Sequence, residues 1–308
     1  MVGEDSTEDA VHVPEGIETR YPIEPEHVLT ALLIIITLGV TVAGAHLVGI
    51  VLPELYRSLL GVLLLGVAGL YIVSIFSWLY EVIQGWRSTP DPVTFGPDAV
   101  QVRILTINAE ATVQKTVNEL PDTLTDRHVI AETPIEIDGA TVHVVPDEFE
   151  CVAKDKGRAL EWARRTLSCE KEYVLFLDED TLVPEFPGLP DADLIQFREY
   201  PMKTDSWWAF WAEIIRMGWQ LEQTGFRQND IPMYTWGGGL AVRKQIEDEI
   251  TWNFESLIED SVFAWLATKN GASYDVVEGR FRNQAPPSIP AMVEQRRRWV
   301  VGTIRDET

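Results

Sequence analysis

The rhythm of apolar positions along the chain changes twice. Residues 1 to 27 are rich in Asp, Glu and Pro with almost no apolar periodicity. Such a stretch cannot offset its ordering entropy by burial, so a mobile acidic tail is expected there. From Val28 to Leu52 the chain is apolar, interrupted only by Thr, Gly, Ala and His46, and a helix of that length runs about 37 Å, enough to span a bilayer. Pro53-Glu54-Leu55-Tyr56-Arg57 breaks the run. Ser58 to Tyr80 then continues without a charge and closes on Trp78 and Tyr80, residues suited to a membrane interface. The pattern predicts a transmembrane hairpin over residues 28–80, with arms 28–52 and 58–80. A cleaved signal peptide fits less well, because the run is too long, starts late, lacks a basic leader and is followed at once by a second span. Arg20, Arg87 and Arg103 flank the outer ends of the hairpin, whereas its turn holds Arg57 alone. By the positive-inside rule both termini then face the cytoplasm, giving a multi-pass protein of the cell membrane with its downstream region cytoplasmic.

A linker over residues 81–99, with Pro90, Pro92, Gly96 and Pro97, leads into a soluble region over residues 100–308, long enough for one domain. Here the rhythm becomes that of short strands and amphipathic helices. Val102 to Ile107, His128 to Ala131, Thr141 to Val145, Tyr173 to Leu177 and Leu194 to Phe197 read as strands. Lys156 to Leu167 reads as a helix with Leu160, Ala163 and Leu167 on one face, and Ser261 to Lys269 reads as a helix ending before Asn270-Gly271. The alternation predicts an α/β domain built on a mostly parallel sheet, with ligands at its carboxyl edge.

Charge narrows the choice of partners. Against 48 Asp plus Glu stand 25 Lys plus Arg, a formal net charge of -23, and a field of that sign repels phosphate backbones. No nucleic-acid partner is expected. Only 7 of the basic residues are Lys, and an acidic, lysine-poor surface is a common halophilic adaptation. Cys151 and Cys169 provide neither a disulfide framework nor a zinc-site spacing.

Candidate chemistry is concentrated in three places. Asp178-Glu179-Asp180 follows the apolar strand Tyr173 to Leu177, so carboxylates emerge where a buried strand ends. A bare Asp-x-Asp is weak evidence, since a chain with this many aspartates has about one by chance. Asp191-Ala192-Asp193 is such a decoy, placed before a strand rather than after one. Two carboxylates held close repel, and a divalent cation that also bridges phosphate oxygens relieves that repulsion. Downstream, Glu259-Asp260 opens an apolar helical stretch, where Asp260 is either a capping residue or a functional carboxylate. Gln295-Arg296-Arg297-Arg298-Trp299 puts three guanidiniums and an indole into five residues of an acidic chain; guanidinium forks suit phosphate, and Trp suits the apolar face of a sugar. Juxtamembrane contact with anionic lipid is the other reading of that cluster. Trp207, Trp208, Trp211 and Trp219 recur near helical spacing, which fits packing, sugar stacking or a membrane surface.

Taken in order, Asp178-Glu179-Asp180, Glu259-Asp260 and Gln295-Arg296-Arg297-Arg298-Trp299 resemble the Asp-x-Asp, Glu-Asp and Gln-x-x-Arg-Trp signatures of family 2 inverting glycosyltransferases, which have the GT-A fold. Lys156-Gly157-Arg158-Ala159-Leu160 looks like the Lys-x-x-Ala-Leu helix start of that family, and Gly237-Gly238-Gly239 like its glycine-rich acceptor loop. Within the family the likeness is to the egghead type of β-1,4-mannosyltransferase, through Val144-Val145-Pro146, Leu177 to Leu182, Glu259 to Ala264 and Glu278-Gly279. Cellulose, chitin and hyaluronan synthases share the final signature. Two positions depart from the pattern: Thr106-Ile107-Asn108-Ala109-Glu110 stands where many relatives have Pro-x-Tyr-Asn-Glu, and Glu132 where an Asp usually meets the nucleobase.

The resemblance implies a nucleotide-sugar donor, GDP-mannose favoured over a UDP-sugar, and a lipid-linked or glycan acceptor. It implies Asp260 as catalytic base, Asp180 as ligand of Mg²⁺ or Mn²⁺, and a donor site formed by Thr106, Glu132, Lys156, Asp178 and Arg298. Gly238, Gly239, Gln295 and Trp299 would hold the acceptor. Relatives with the arginine-tryptophan signature continue into further spans, so a membrane partner subunit in their place, or a truncated form, is also expected. Two other readings stay open. Phe176 to Val183 also fits the first motif of haloacid-dehalogenase-type phosphohydrolases, with Asp178 as nucleophile and Asp180 as its acid/base partner, although three strands precede it here. The third reading is a catalytically silent membrane scaffold.

Overall fold

A computed structural model of the chain describes residues 54–306, apart from residues 90, 219, 228–229 and 233. The expected acidic tail and the first arm of the hairpin lie outside the described residues, as does Trp219. Helix α1, Glu54–Arg87, runs through the expected second arm and continues to Arg87, so the first part of the expected linker is helical. It contains one stretch, Gly61–Arg87, long and apolar enough to cross a membrane, and none of its most apolar window is buried. Two compact units divide within this helix, and the second, Ala68–Asp306, carries everything that follows.

After a short 3-10 turn at Pro97–Ala99 the elements alternate: β1 Val100–Thr106, α2 Glu110–Glu119, β2 Asp126–Ala131, β3 Thr141–Val144, α3 Asp155–Thr166, β4 Tyr173–Asp178 and β5 Leu194–Met202. Two helices, α4 Trp207–Met217 and α5 Gln220–Phe226, precede β6 Leu240–Arg243. Helices α6 Lys244–Ile250 and α7 Glu259–Lys269, strand β7 Tyr274–Gln284 and helix α8 Ile289–Asp306 complete the described chain. All five expected strands and both expected helices are present, with ends shifted by a few residues. Strands β6 and β7 are additions: β6 is a four-residue strand behind three glycines, and polar residues interrupt β7.

One seven-stranded sheet results, in the order β3-β2-β1-β4-β6-β5-β7. Neighbours pair in parallel except at β6, which runs antiparallel to both β4 and β5. The expectation of a mostly parallel sheet is met, with one reversed strand inside it. Alternation along each strand separates two cores. Val102, Ile104, Leu175 and Leu177 face α2, with Val113 and Val117; Leu105, Val174 and Phe176 face α3 and α7, with Leu160, Ala163, Trp252 and Phe263. Arg103 also points into this second layer, where it is fully buried against Glu247 at 2.9 Å and Gln101. Such a pair is costly to break, because either partner alone is an uncompensated buried charge.

This topology decides where chemistry gathers. The parallel strands end at one edge, bringing Thr106, Ala131 and Asp178 side by side. Because β6 is reversed, it begins at that same edge, and its leading glycines lie over the ends of its neighbours. The decoy pair sits elsewhere in the network, Asp191 and Asp193 both engaged by Arg243.

Candidate active site

Lys156, in the first turn of α3, is the centre of the cluster. Its Nζ lies 2.8 Å from Asp178 Oδ1, 3.1 Å from Asp260 Oδ2 and 3.5 Å from Glu259 Oε1. Asp155, which precedes it, has φ of 49°, an uncommon conformation outside glycine that turns the chain sharply into the helix. One ammonium thus serves three carboxylates from two elements, β4 and α7, with Asp260 lying 104 residues along the chain from the lysine. Burial disfavours its charge, but Asp178, Asp260 and Glu259 outweigh that and hold Lys156 well above the usual lysine value. The cluster remains short of positive charge. Asp260 is pushed up to about 7 by burial, with Lys156 opposing and Glu259 and Asp178 reinforcing the shift.

Asp260 is not a helix cap. Ile258 occupies the cap position of α7 without a side-chain hydrogen bond, and Asp260 stands in the first turn with its carboxylate turned to Lys156. Gly237 closes the cluster from above. A Cβ at this position would collide with Lys156 Nζ and lie 2.9 Å from Asp178 Oδ1 and 3.1 Å from Asp260 Oδ2. A side chain here fits only if the Lys156 ammonium and the carboxylate ends around it shift.

Beside it, Asp180 is raised to about 6 by burial and by the charge of Asp178, against a hydrogen bond donated to its Oδ2 by Gln284 N at 3.1 Å. Thr181 Oγ1 and Asn283 Oδ1 are buried with no hydrogen-bond partner among the described residues. Both lie against Gly238, where a Cβ would approach them to within 2.8 and 2.9 Å. Unrelieved carboxylates next to orphaned oxygens are a donor set that fits a hard divalent cation. Among the described residues, no group of three or more His, Cys, Asp or Glu is gathered to hold a metal unaided. A cation here would therefore take one or two protein carboxylates and need further oxygen ligands from outside the protein.

A second wall is formed by the ends of β1 and β2. Thr106 Oγ1 donates to Glu179 Oε2 at 2.5 Å, and Glu132 N donates to Thr106 O at 3.2 Å. Arg158, at the end of the first turn of α3, holds Glu132 at 2.6 Å and also donates to the carbonyls of Pro146 and Phe149. Glu179 and Arg158 escaped the sequence reading, since nothing in the local pattern distinguishes them from solvated charges.

The arginine-tryptophan segment behaves differently from the expectation. Two guanidiniums approach the Trp299 ring, Arg296 at 4.5 Å and Arg216 at 5.2 Å from its centre. Arg296 and Arg216 both pair with Glu213 of α4. Trp299 is thus part of the α4–α8 packing, within cation–π reach of two guanidiniums. Gln295 Oε1 is buried without a partner, and Arg298 is exposed and makes no ion pair with Asp178, Asp180 or Asp260 among the described residues. The far end of α8 does reach the site's support. Gly302 packs against Ile258, and Asp306 accepts from Ser256 Oγ at 2.6 Å and Leu257 N at 3.3 Å, just before Glu259-Asp260. Gly238 and Gly239 are buried; Gly239, at φ 144°, faces Phe281, so it serves close packing rather than an open surface. The structure brings Lys156, Asp178 and Asp260 together, sets Asp180, Thr106 and Glu132 around them, and leaves Arg298 apart.

Residues 173–307 match the family model for glycosyl transferase family group 2. The β-1,4-mannosyltransferase bre-3 of Caenorhabditis elegans is 31% identical over 78 residues, 24% of this chain and 17% of the relative. The β-1,4-mannosyltransferase egh of Drosophila melanogaster is 23% identical over 183 residues, 52% of this chain and 40% of the relative. The chain thus spans less than half the length of these curated relatives. Among solved structures, the mannosyltransferase PcManGT from Pyrobaculum calidifontis, in complex with GDP-Man and Mn²⁺, has a TM-score of 0.52 at 14% identity, covering 77% of this chain and 73% of that one. That likeness establishes the GT-A-like fold. Residues 173–307 thus carry a likeness to family 2 glycosyltransferases, in agreement with the motifs of the sequence. Within the family the chain is similar to the egghead type, and the phosphohydrolase reading of Asp178 falls away.

Proposed function

We propose that the chain is a membrane-anchored, inverting, metal-dependent hexosyltransferase, with GDP-mannose as the favoured donor and a lipid-linked or glycan hydroxyl as acceptor. The observation that carries this reading is the convergence of Asp178 and Asp260 on Lys156 beneath Gly237. The egghead-type relatives and the GDP-Man-bound structural neighbour support the mannosyl donor. Asp180, with Asp178 beside it, would hold Mg²⁺ or Mn²⁺. When bound, the cation supplies charge neutralisation to the departing nucleoside diphosphate.

The remaining work falls to the chain's own groups. Thr106 and Glu132, braced by Arg158, form the wall against which the nucleoside lies, and Lys156 adds a positive charge toward the diphosphate. Asp260, raised toward neutrality, is suited to accept the proton of an acceptor hydroxyl near physiological pH. Attack from the face opposite the leaving group inverts an α donor to a β linkage, and no covalent sugar intermediate is required. Helix α1 would tether the domain to the bilayer where the acceptor resides.

A donor screen tests this reading. Membranes carrying the chain, Mn²⁺ and labelled GDP-mannose or UDP-hexoses are expected to yield product from GDP-mannose. Incorporation only from a UDP-sugar refutes the mannosyl assignment. Donor binding without any transfer assigns the silent scaffold instead.

A further inference from the structure

Strands β5 and β7 carry an arrangement that this mechanism does not use. A cavity there is lined by Tyr200, Pro201, Met202, Arg280 and Arg282. Strand periodicity explains its character. Residues 280 and 282 stand on one face, while Phe281 between them turns the other way and stacks on Phe197 in the core, ring centres 4.2 Å apart. Tyr200 is the register partner of Arg282 and stands beside it on the same face.

Neither arginine has a side-chain hydrogen bond or ion pair among the described residues. Arg198, two residues before Tyr200, pairs with Glu278 at 2.6 Å, so carboxylates are used on this face where they are wanted. In a chain of net charge -23, two unpaired guanidiniums facing one cavity repel each other and are relieved by an anion between them. A planar carboxylate is satisfied by a single fork, whereas two forks and a phenol together match the several oxygens of a tetrahedral phosphate. The cavity also adjoins the carboxylate cluster. Arg282 is bridged to Leu182 through backbone hydrogen bonds of 2.8 and 2.9 Å, and Gln284, two residues or about 7 Å further along the strand, donates to Asp180.

We propose that Arg280, Arg282 and Tyr200 form a subsite for a phosphate group carried by the acceptor. The word acceptor rests on the transferase reading above; the phosphate site does not. Held there, a phosphorylated acceptor lies beside Asp180 without competing for Lys156.

The test uses the full chain in neutral detergent and ³¹P line broadening, with two probes: inorganic phosphate, and phosphatidic acid dissolved in the micelles, with phosphatidylcholine as control. The wild type is expected to bind phosphate, and R280Q/R282Q to weaken it at least about tenfold with GDP binding and melting temperature unchanged. Loss in both arms assigns phosphate as such, and loss only with phosphatidic acid assigns a lipid phosphate. Where the glutamine variant fails to fold, R280K/R282K keeps both charges but loses the forks, and a severalfold loss is expected. Unchanged affinity in a folded variant, or no binding of either probe by the wild type, overturns the subsite. No turnover is needed. A chain that binds phosphate at these arginines yet transfers no sugar refutes the transferase reading alone, whereas one that transfers sugar with its phosphate affinity untouched by the substitutions refutes the subsite alone.

Discussion

At the scale of single residues, the site is a contest between too many carboxylates and one lysine. Asp180, Asp260 and Asp275 are each raised, mainly by burial, to about 6, 7 and 6 against a usual 3.8. A carboxyl raised in the folded state binds its proton more tightly there than in the unfolded chain. Stability is therefore favoured at low pH and declines as pH rises from about 4 through about 7, by at most about 1.4 kcal/mol per pH unit for each group. Denaturation of metal-free protein across that window is expected to follow this slope, and Asp275→Asn, outside the site, is expected to flatten it; an unaltered slope would contradict the shift. Asp180→Ala is expected to remove metal-dependent GDP binding, measured by titration with and without Mn²⁺. Gly237→Ala places a methyl group on Lys156 Nζ and is expected to cost about 1–3 kcal/mol on denaturant unfolding, together with activity. The carboxylates were legible in the sequence because each follows a strand end or opens a helix. Glu179 and Arg158 were not, because their roles arise only when β1, β2 and α3 meet.

At the scale of elements, β6 and α8 determine how the motifs meet. The four residues of β6 carried too little pattern to be read as a strand, yet its reversed direction is what lays Gly237 over the carboxylates. The expectation that the arginine-tryptophan motif would join the pocket directly rested on resemblance. Here Arg296 rather than Arg298 holds the neighbouring helix, and Trp299 packs against Arg296 and Arg216. The end of α8 buttresses the segment before Asp260 through Gly302 and Asp306. Gly302→Leu forces that contact apart, since even a Cβ would meet Ile258 at 2.6 Å. It is expected to lower turnover at least about tenfold through misplacement of Asp260 while donor affinity changes little, a split that steady-state kinetics with GDP titration would reveal.

At the scale of the molecule, the α/β architecture and the sheet edge that carries the site follow from alternating strands and helices, which local hydrophobic rhythm records well. The order of strands does not follow from that rhythm, because pairing across the sheet depends on contacts distant in sequence. The net charge of -23 adds a condition to the whole fold. Self-repulsion at low ionic strength should lower the melting temperature, and raising salt toward about 1 M should restore it by screening; a melting temperature indifferent to salt would argue against that repulsion. The central claim is that Asp260 shares one pocket with the donor and removes the acceptor's proton there. GDP-mannose binding and sugar transfer measured side by side for wild type and Asp260→Asn test it most directly. Transfer abolished with donor affinity within about threefold of wild type is the expected result. Equal loss of both, or transfer that survives the substitution, would contradict it.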